Sequence, residues 1–196
     1  AINIFQKIYR LENLMMEKFD FNLKQFNTNN IYTYFVNHKE ATRQDLAQTL
    51  NLTLPTVTKN IDYLSELGLI KKSGSRGQTG GRRAVTYVLC PTVKVALGLD
   101  ITKHHLACVA VGLDGKIISF QRNKLVFEHK ETYYREVAKV LQEFIHKNAI
   151  EEKAILGVGI GIPALVQADN RTVFYSKIMG IREDTYEMFC KFIPYV

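Results

Sequence analysis

Two helix starts follow one another within residues 42–68, and together they leave the chain little choice there. Residues 42–45 read TRQD, a hydroxyl at an N-cap position with an acid three residues on. That resembles a capping box with Asp in place of Glu. Leu46, Ala47 and Leu50 carry the helix forward, and Asn51-Leu52 reads as a tight turn. Thr53 is a second N-cap, and Pro55 suits a first helical turn, where its missing N–H costs nothing. Val57, Ile61 and Leu64 fall on one face of this second helix, and Gly68 ends it with the residue most tolerant of positive φ. The spacing predicts helices over about 42–50 and 54–67. Ile31, Tyr34 and Phe35 predict an earlier helix, ending near residues 37–40.

A two-stranded hairpin is expected next. Residues 69–72 (LIKK) read as a short strand, residues 73–81 as a Gly- and Ser-rich loop, and residues 82–89 as a second strand rich in Val, Thr and Tyr. Three short helices followed by such a hairpin make the winged helix-turn-helix pattern. The tip is basic: Lys71, Lys72, Arg76, Arg82 and Arg83 lie in a stretch without a carboxylate, and they account for five of the net +7 charges of the 196-residue chain.

That charge favours an anionic partner, and its position names the partner as double-stranded DNA. In a helix-turn-helix the first helix braces the second, and the second presents its early residues to base edges in the major groove. Thr42 and Arg43 open the bracing helix. Thr53, Pro55, Thr56, Lys59, Asn60 and Tyr63 are the expected outward positions of the second. Asn60 could pair with adenine, Pro55 and Thr56 could meet a thymine methyl, and Lys59 could reach phosphate or guanine. Arg76-Gly77 and Arg82-Arg83 place guanidinium groups on bendable backbone, which suits a narrow minor groove.

Other classes are disfavoured. No apolar run approaches the length of about 18 residues that a membrane span needs. The first twenty residues mix charge into their apolar positions, unlike a secretory signal; Ile4, Ile8, Leu11, Met15 and Phe19 there suggest a helical arm over 1–23. Cys90, Cys108 and Cys190 are odd in number and far apart, so neither a disulfide framework nor a local zinc site is signalled, and a reducing cytoplasm fits. The His104-His105 pair lacks further ligands, so no metal and no cofactor is expected.

The pattern changes at Cys90-Pro91. Residues 93–101 and 105–113 read as buried strands, Asp114-Gly115 as a hairpin turn, and 116–120, running on toward Phe127, as a third strand. Residues 131–147 are helical, with Tyr134, Val137, Leu141, Phe144 and Ile145 on the apolar side, and 154–162 (AILGVGIGI) read as a central strand. Strands, a helix and another buried strand predict an α/β domain, so the chain as a whole combines an α+β part with an α/β part.

Four stretches in this order resemble the repressor branch of the ROK family (repressors, open reading frames, kinases). They are ATRQDLAQTLNLTLPTVTKNIDYLSELGLI, GGRRAVTYVLCP, ALGLDITKHHLACVAVGLDGKII and ILGVGIGIPALVQADNRTVFYS. The resemblance implies a winged helix-turn-helix over 24–89, with its basic wing at 71–83. It implies an actin-like (RNase H-like) lobe over 90–196, incomplete relative to a full ROK domain. It further implies a homodimer or higher oligomer, and a sugar or sugar-derivative effector beside the family's G-I-P-G element, matched here by Gly161, Pro163 and Ala164. Family kinases carry D-x-G-G-T after the first strand. Here Asp100 is kept while Thr102 and Lys103 fill both Gly positions, a loop poorly shaped for ATP. The expected function is therefore a sugar-responsive, DNA-binding transcriptional repressor and not an enzyme. A ROK sugar kinase with a DNA-binding arm, and a helix-turn-helix assembly module without DNA binding, are the alternatives.

Overall fold

Alternating branched residues put two long runs of the C-terminal half side by side as strands. In the computed structural model, which describes residues 23–76, 83–168 and 172–195, these runs lie in one sheet. The chain divides into two units, 2–93 with 113–115 and 94–112 with 116–196.

The N-terminal unit holds α1 (Leu23–Asn37), β1 (Ala41–Thr42), α2 (Arg43–Thr49), α3 (Leu54–Glu66), β2 (Ile70–Arg76) and β3 (Ala84–Leu89). The three strands form an antiparallel sheet in the order β1-β3-β2. Ile31 and Phe35 of α1, Leu46 of α2, and Val57, Ile61 and Leu64 of α3 meet Ile70 and Tyr87 of the sheet in one buried cluster. Gly68 takes φ +71° just past α3, the left-handed turn that releases the chain into β2.

Two boundaries differ from the sequence reading. Helix α1 begins at Leu23, well before the apolar pattern becomes visible; Phe26 is exposed and none of residues 26–30 is buried. Residues 73–76 are strand and not loop. A bulge between Lys72 and Gly74 takes up the irregular composition, the Ser73 and Thr86 hydroxyls lie 3.0 Å apart, and the ladder runs on to Arg76 opposite Ala84. The expected arm over 1–23 falls almost wholly, and the wing tip at 77–82 wholly, outside the described residues.

The C-terminal unit is a mixed α/β fold. β4 (Val95–Ile101), β5 (His105–Gly112), β6 (Ile117–Lys124) and β7 (Ile155–Gly161) form a sheet in the order β6-β5-β4-β7, with only the β4–β7 pair parallel. That parallel pair needs a crossover, and α4 (Glu131–Lys147) lies within it. Leu97, Leu99, Leu106, Cys108 and Ala110 of the sheet pack with Tyr134, Val137, Leu141 and Phe144 of α4. Glu131 sits in the helix's first turn and Lys147 in its last, each sign matching the helix dipole. A second small sheet, β8 (Leu165–Val166), β9 (Thr172–Ser176) and β10 (Ile181–Thr185), is followed by α5 (Glu187–Phe192), whose Phe189 ring meets Tyr134 edge-on at 4.9 Å.

Two measurements test this packing. A Cβ at Gly98 would stand 2.7 Å from Cγ1 of Val109, its partner across β5 and a side chain stiff at χ1. Gly98→Ala should destabilise the chain by about 1–3 kcal/mol in urea denaturation. Adding Val109→Ala should recover part of the loss; no recovery would place the strain elsewhere. Burial also pushes the Cys108 thiol up to about 11, from an ordinary 9.0. A raised thiol pKa means that the native state keeps its proton, so the associated stability is lost as pH climbs through that window. At pH 8, iodoacetamide should label exposed Cys190 quickly and Cys108 only after unfolding.

Candidate nucleic-acid interface

The capping box of α2 forms. The Asp45 N–H donates to Thr42 Oγ1 at 3.1 Å, and the Thr42 N–H donates to Asp45 Oδ2 at 2.8 Å. Thr42 is thereby 5% exposed, which corrects its place among the DNA-facing residues: its hydroxyl is occupied within the helix start. At the start of α3, Thr53 Oγ1 accepts from the Thr56 N–H at 3.4 Å, and the two hydroxyls lie 2.9 Å apart.

Helix α3 buries Val57, Asn60, Ile61 and Leu64. These positions repeat at the three- and four-residue steps of one helical face. Asn60 is therefore also a correction. It is 5% exposed, its Oδ1 accepts from the Thr28 hydroxyl of α1, and its Nδ2 donates to the Thr56 carbonyl at 2.8 Å. Its side chain joins two helices and is turned away from any base edge. The sequence held the signal, because position 60 lies three after Val57 and four before Leu64.

The outward face carries Thr53, Leu54, Pro55, Lys59, Asp62, Tyr63 and Glu66, all exposed, with Thr56 and Thr58 half-buried beside them. Leu54, 51% exposed beside Pro55, was not singled out from the sequence. Apolar residues at a helix N-terminus read as core until the packing is known.

Arg43 is only partly available. Its Nη2 donates to Asp62 Oδ1 at 2.9 Å, joining α2 to α3, and its guanidinium stands 5.1 Å from the centre of the Tyr87 ring. Arg76, at the last described position of β2, pairs with Glu40 and lies 3.8 Å from Asp45. Its hydrogen bond to the Glu40 carboxylate holds the guanidinium more firmly protonated than usual. Lys71, Lys72 and Arg83 are exposed along the same hairpin. Gly77 and Arg82 lie outside the described residues.

The residues expected to border an effector are in the C-terminal unit. Gly161 ends β7 opposite Asp100, Pro163 is exposed, and half-buried Ala164 packs against the core. The Ser176 hydroxyl donates to the Pro163 carbonyl at 2.6 Å and ties this turn to β9. Thr102 closes the turn after β4 on itself: its N–H donates to the His105 carbonyl at 2.9 Å, and its Oγ1 accepts from the His105 N–H at 3.1 Å. Among the described residues no helix is long and apolar enough to cross a membrane.

Comparison with known proteins gives these arrangements a setting. Residues 96–191 match the ROK family. A putative xylose repressor of Caldicellulosiruptor sp. (strain Rt8B.4) is 28% identical over 153 residues, 77% of this chain and 38% of the relative. The DNA-binding transcriptional dual regulator NagC of Escherichia coli (strain K12) is 24% identical over 153 residues, 78% of this chain and 38% of its own length. The crystal structure of a ROK family transcriptional regulator, a homolog of the E. coli MLC protein, superposes with a TM-score of 0.59 at 19% identity, covering 82% of this chain and 41% of that one. Matches of 153 residues run well outside 96–191 and so take in much of the N-terminal half. The chain spans about 38% of the length of these curated relatives.

Replacing Thr42 with Ala should lower the urea midpoint by the equivalent of about 1 kcal/mol, the worth of an N-cap. The same change should leave the salt dependence of DNA binding untouched. A shallower salt slope would show Thr42 against phosphate and restore it to the interface.

Proposed function

We propose that the chain, whose residues 96–191 match the ROK family, is a DNA-binding transcriptional regulator, a sugar-responsive repressor that grips operator DNA with its N-terminal unit. In this reading residues 24–89 are a winged helix-turn-helix, preceded by an arm over 1–23. Residues 90–196 are the first lobe of an actin-like ROK domain that takes a sugar or sugar derivative at Gly161, Pro163 and Ala164. Helix α3 enters the major groove, and the β2–β3 hairpin lies along the backbone with its Gly/Arg tip at the minor groove. The active form is a homodimer or higher oligomer in the cytoplasm.

One observation carries the proposal. Helix α3 seals one face into the core and leaves Thr53, Leu54, Pro55, Lys59 and Tyr63 outward, in the unit whose hairpin exposes Lys71, Lys72, Arg76 and Arg83. A helix with a mixed apolar and hydroxyl front suits base edges, and the cationic hairpin suits phosphate. Thr56 is half-buried beside this front, while Arg43 acts mainly by holding α2 to α3. The named relatives are repressors and a transcriptional regulator, which supports the same reading. Kinase chemistry fits less well, because Thr102 and Lys103 stand where a phosphate loop needs Gly.

Fluorescence anisotropy with the gene's own upstream DNA tests this. Binding should be sequence-dependent and should weaken steeply with salt. Lys59→Ala and Arg83→Ala should each reduce the log–log salt slope by about 0.9 if each meets one phosphate. Equal affinity for unrelated DNA of the same length would end the repressor reading.

A further inference from the structure

Helix α3 meets solvent along two rows of side chains. Leu54, Asp62 and Glu66 lie on one row, and Pro55, Lys59 and Tyr63 run beside them at four-residue steps. The rows are polarised. At the N-terminal end Leu54 is 51% exposed, with Pro55 exposed next to it. The exposed carboxylates of Asp62 and Glu66 lie about 12 and 18 Å further along the axis. Carboxylates repel backbone phosphates, so α3 approaches a duplex most closely by its first turn. Hydrogen-bonding groups are scarce in that turn. The Thr53 and Thr56 hydroxyls lie 2.9 Å apart and engage each other. Helix α3 contains no Arg and no Gln, and Asn60 is turned into the core, where its Nδ2 donates to the Thr56 carbonyl. What the first turn offers a base edge is therefore mainly apolar.

We propose that Leu54, with Pro55 beside it, reads the C5-methyl group of thymine in the major groove, so that the operator is chosen there by where its methyl groups stand. The proposal rests on the winged helix-turn-helix reading of residues 24–89 and names the chemical group that α3 selects. The thymine methyl is the one alkyl group that unmodified base pairs present in the major groove. A leucine side chain laid over it removes apolar surface of both from water. The cations that hold a duplex lie in the same unit: Lys59 one turn beyond Pro55, and Lys71, Lys72 and Arg83 on the hairpin, all exposed. Cations meet phosphate in any sequence, so they supply grip while Leu54 supplies choice.

Anisotropy titration of the full chain decides it, with duplexes tiled across the gene's own upstream DNA and the tightest of them carried forward. In that duplex each thymine is replaced in turn by deoxyuridine, which keeps every hydrogen-bonding group and lacks only the methyl. At one or more positions the replacement should weaken binding about fourfold, the worth of one buried methyl group. Leu54→Ala should weaken binding to the thymine duplex by a similar factor and leave the log–log salt slope unchanged, since no phosphate contact is lost. It should also abolish the difference between thymine and deoxyuridine at those positions, the coupling that a double-mutant cycle isolates. Leu54→Met should keep the difference, and both variants, altered at an exposed site, should keep the wild-type urea midpoint. Equal affinity for every deoxyuridine duplex, or a thymine preference undiminished in Leu54→Ala, overturns the proposal. So does a change of sedimentation mass in Leu54→Ala with the thymine preference intact, which assigns Leu54 to a protein contact. Sequence-specific binding without a methyl preference removes this proposal alone, whereas equal affinity for unrelated DNA removes the repressor reading and this proposal with it.

Discussion

Burial of one face of α3 is the constraint on which the N-terminal unit depends. Val57, Ile61 and Leu64 are almost wholly removed from solvent, against Ile31, Phe35 and Leu46 of the other helices. Each such side chain contributes about 1.5–3 kcal/mol when fully buried. That total far exceeds what any surface contact of the helix can supply, so the core sets the rotation of α3 about its axis. The rotation then decides which residues a groove can meet. Asn60 is the polar member of the inner face, and burying it is tolerated because both ends of its amide are bonded.

Much of this was legible in the sequence because it follows from periodicity and caps. Thr42 with Asp45, Thr53 with Pro55, and Gly68 mark both helices of the pair, and the strands at 95–101 and 105–112 announce themselves by composition. Misreadings arose where residue type outweighed position. Asn60 and Thr42 carry groups that suit DNA, yet their spacing assigns them to a buried face and a helix cap. Residues 73–76 read as loop from their Gly and Ser, and a bulge with a hydroxyl pair kept them in the ladder. The concave surface between His129 and the β9–β10 hairpin was illegible for another reason. His129 lies far from residues 175–182 in the chain, and only the folded sheet makes them neighbours.

The ion pairs of the N-terminal unit bear on how it would change partners. Arg43 holds Asp62 and Arg76 holds Glu40, all on side chains at least a third exposed. Exposed pairs of this kind contribute about 0–1 kcal/mol and are screened by salt. A phosphate group, with two free oxygens, offers an Arg the same bidentate geometry as a carboxylate, inside the strong potential of a nucleic-acid groove. In the proposed complex Arg76 would give up only this exposed pair to meet phosphate. The Glu40 carboxylate, once released, stays near the same backbone and resists it. Arg43 differs, because its guanidinium also faces the Tyr87 ring and its Nε is buried. Withdrawing it would give up packing as well as charge, so in the proposed complex Arg43 would keep the two helices in register while Arg76 would be the cation to exchange.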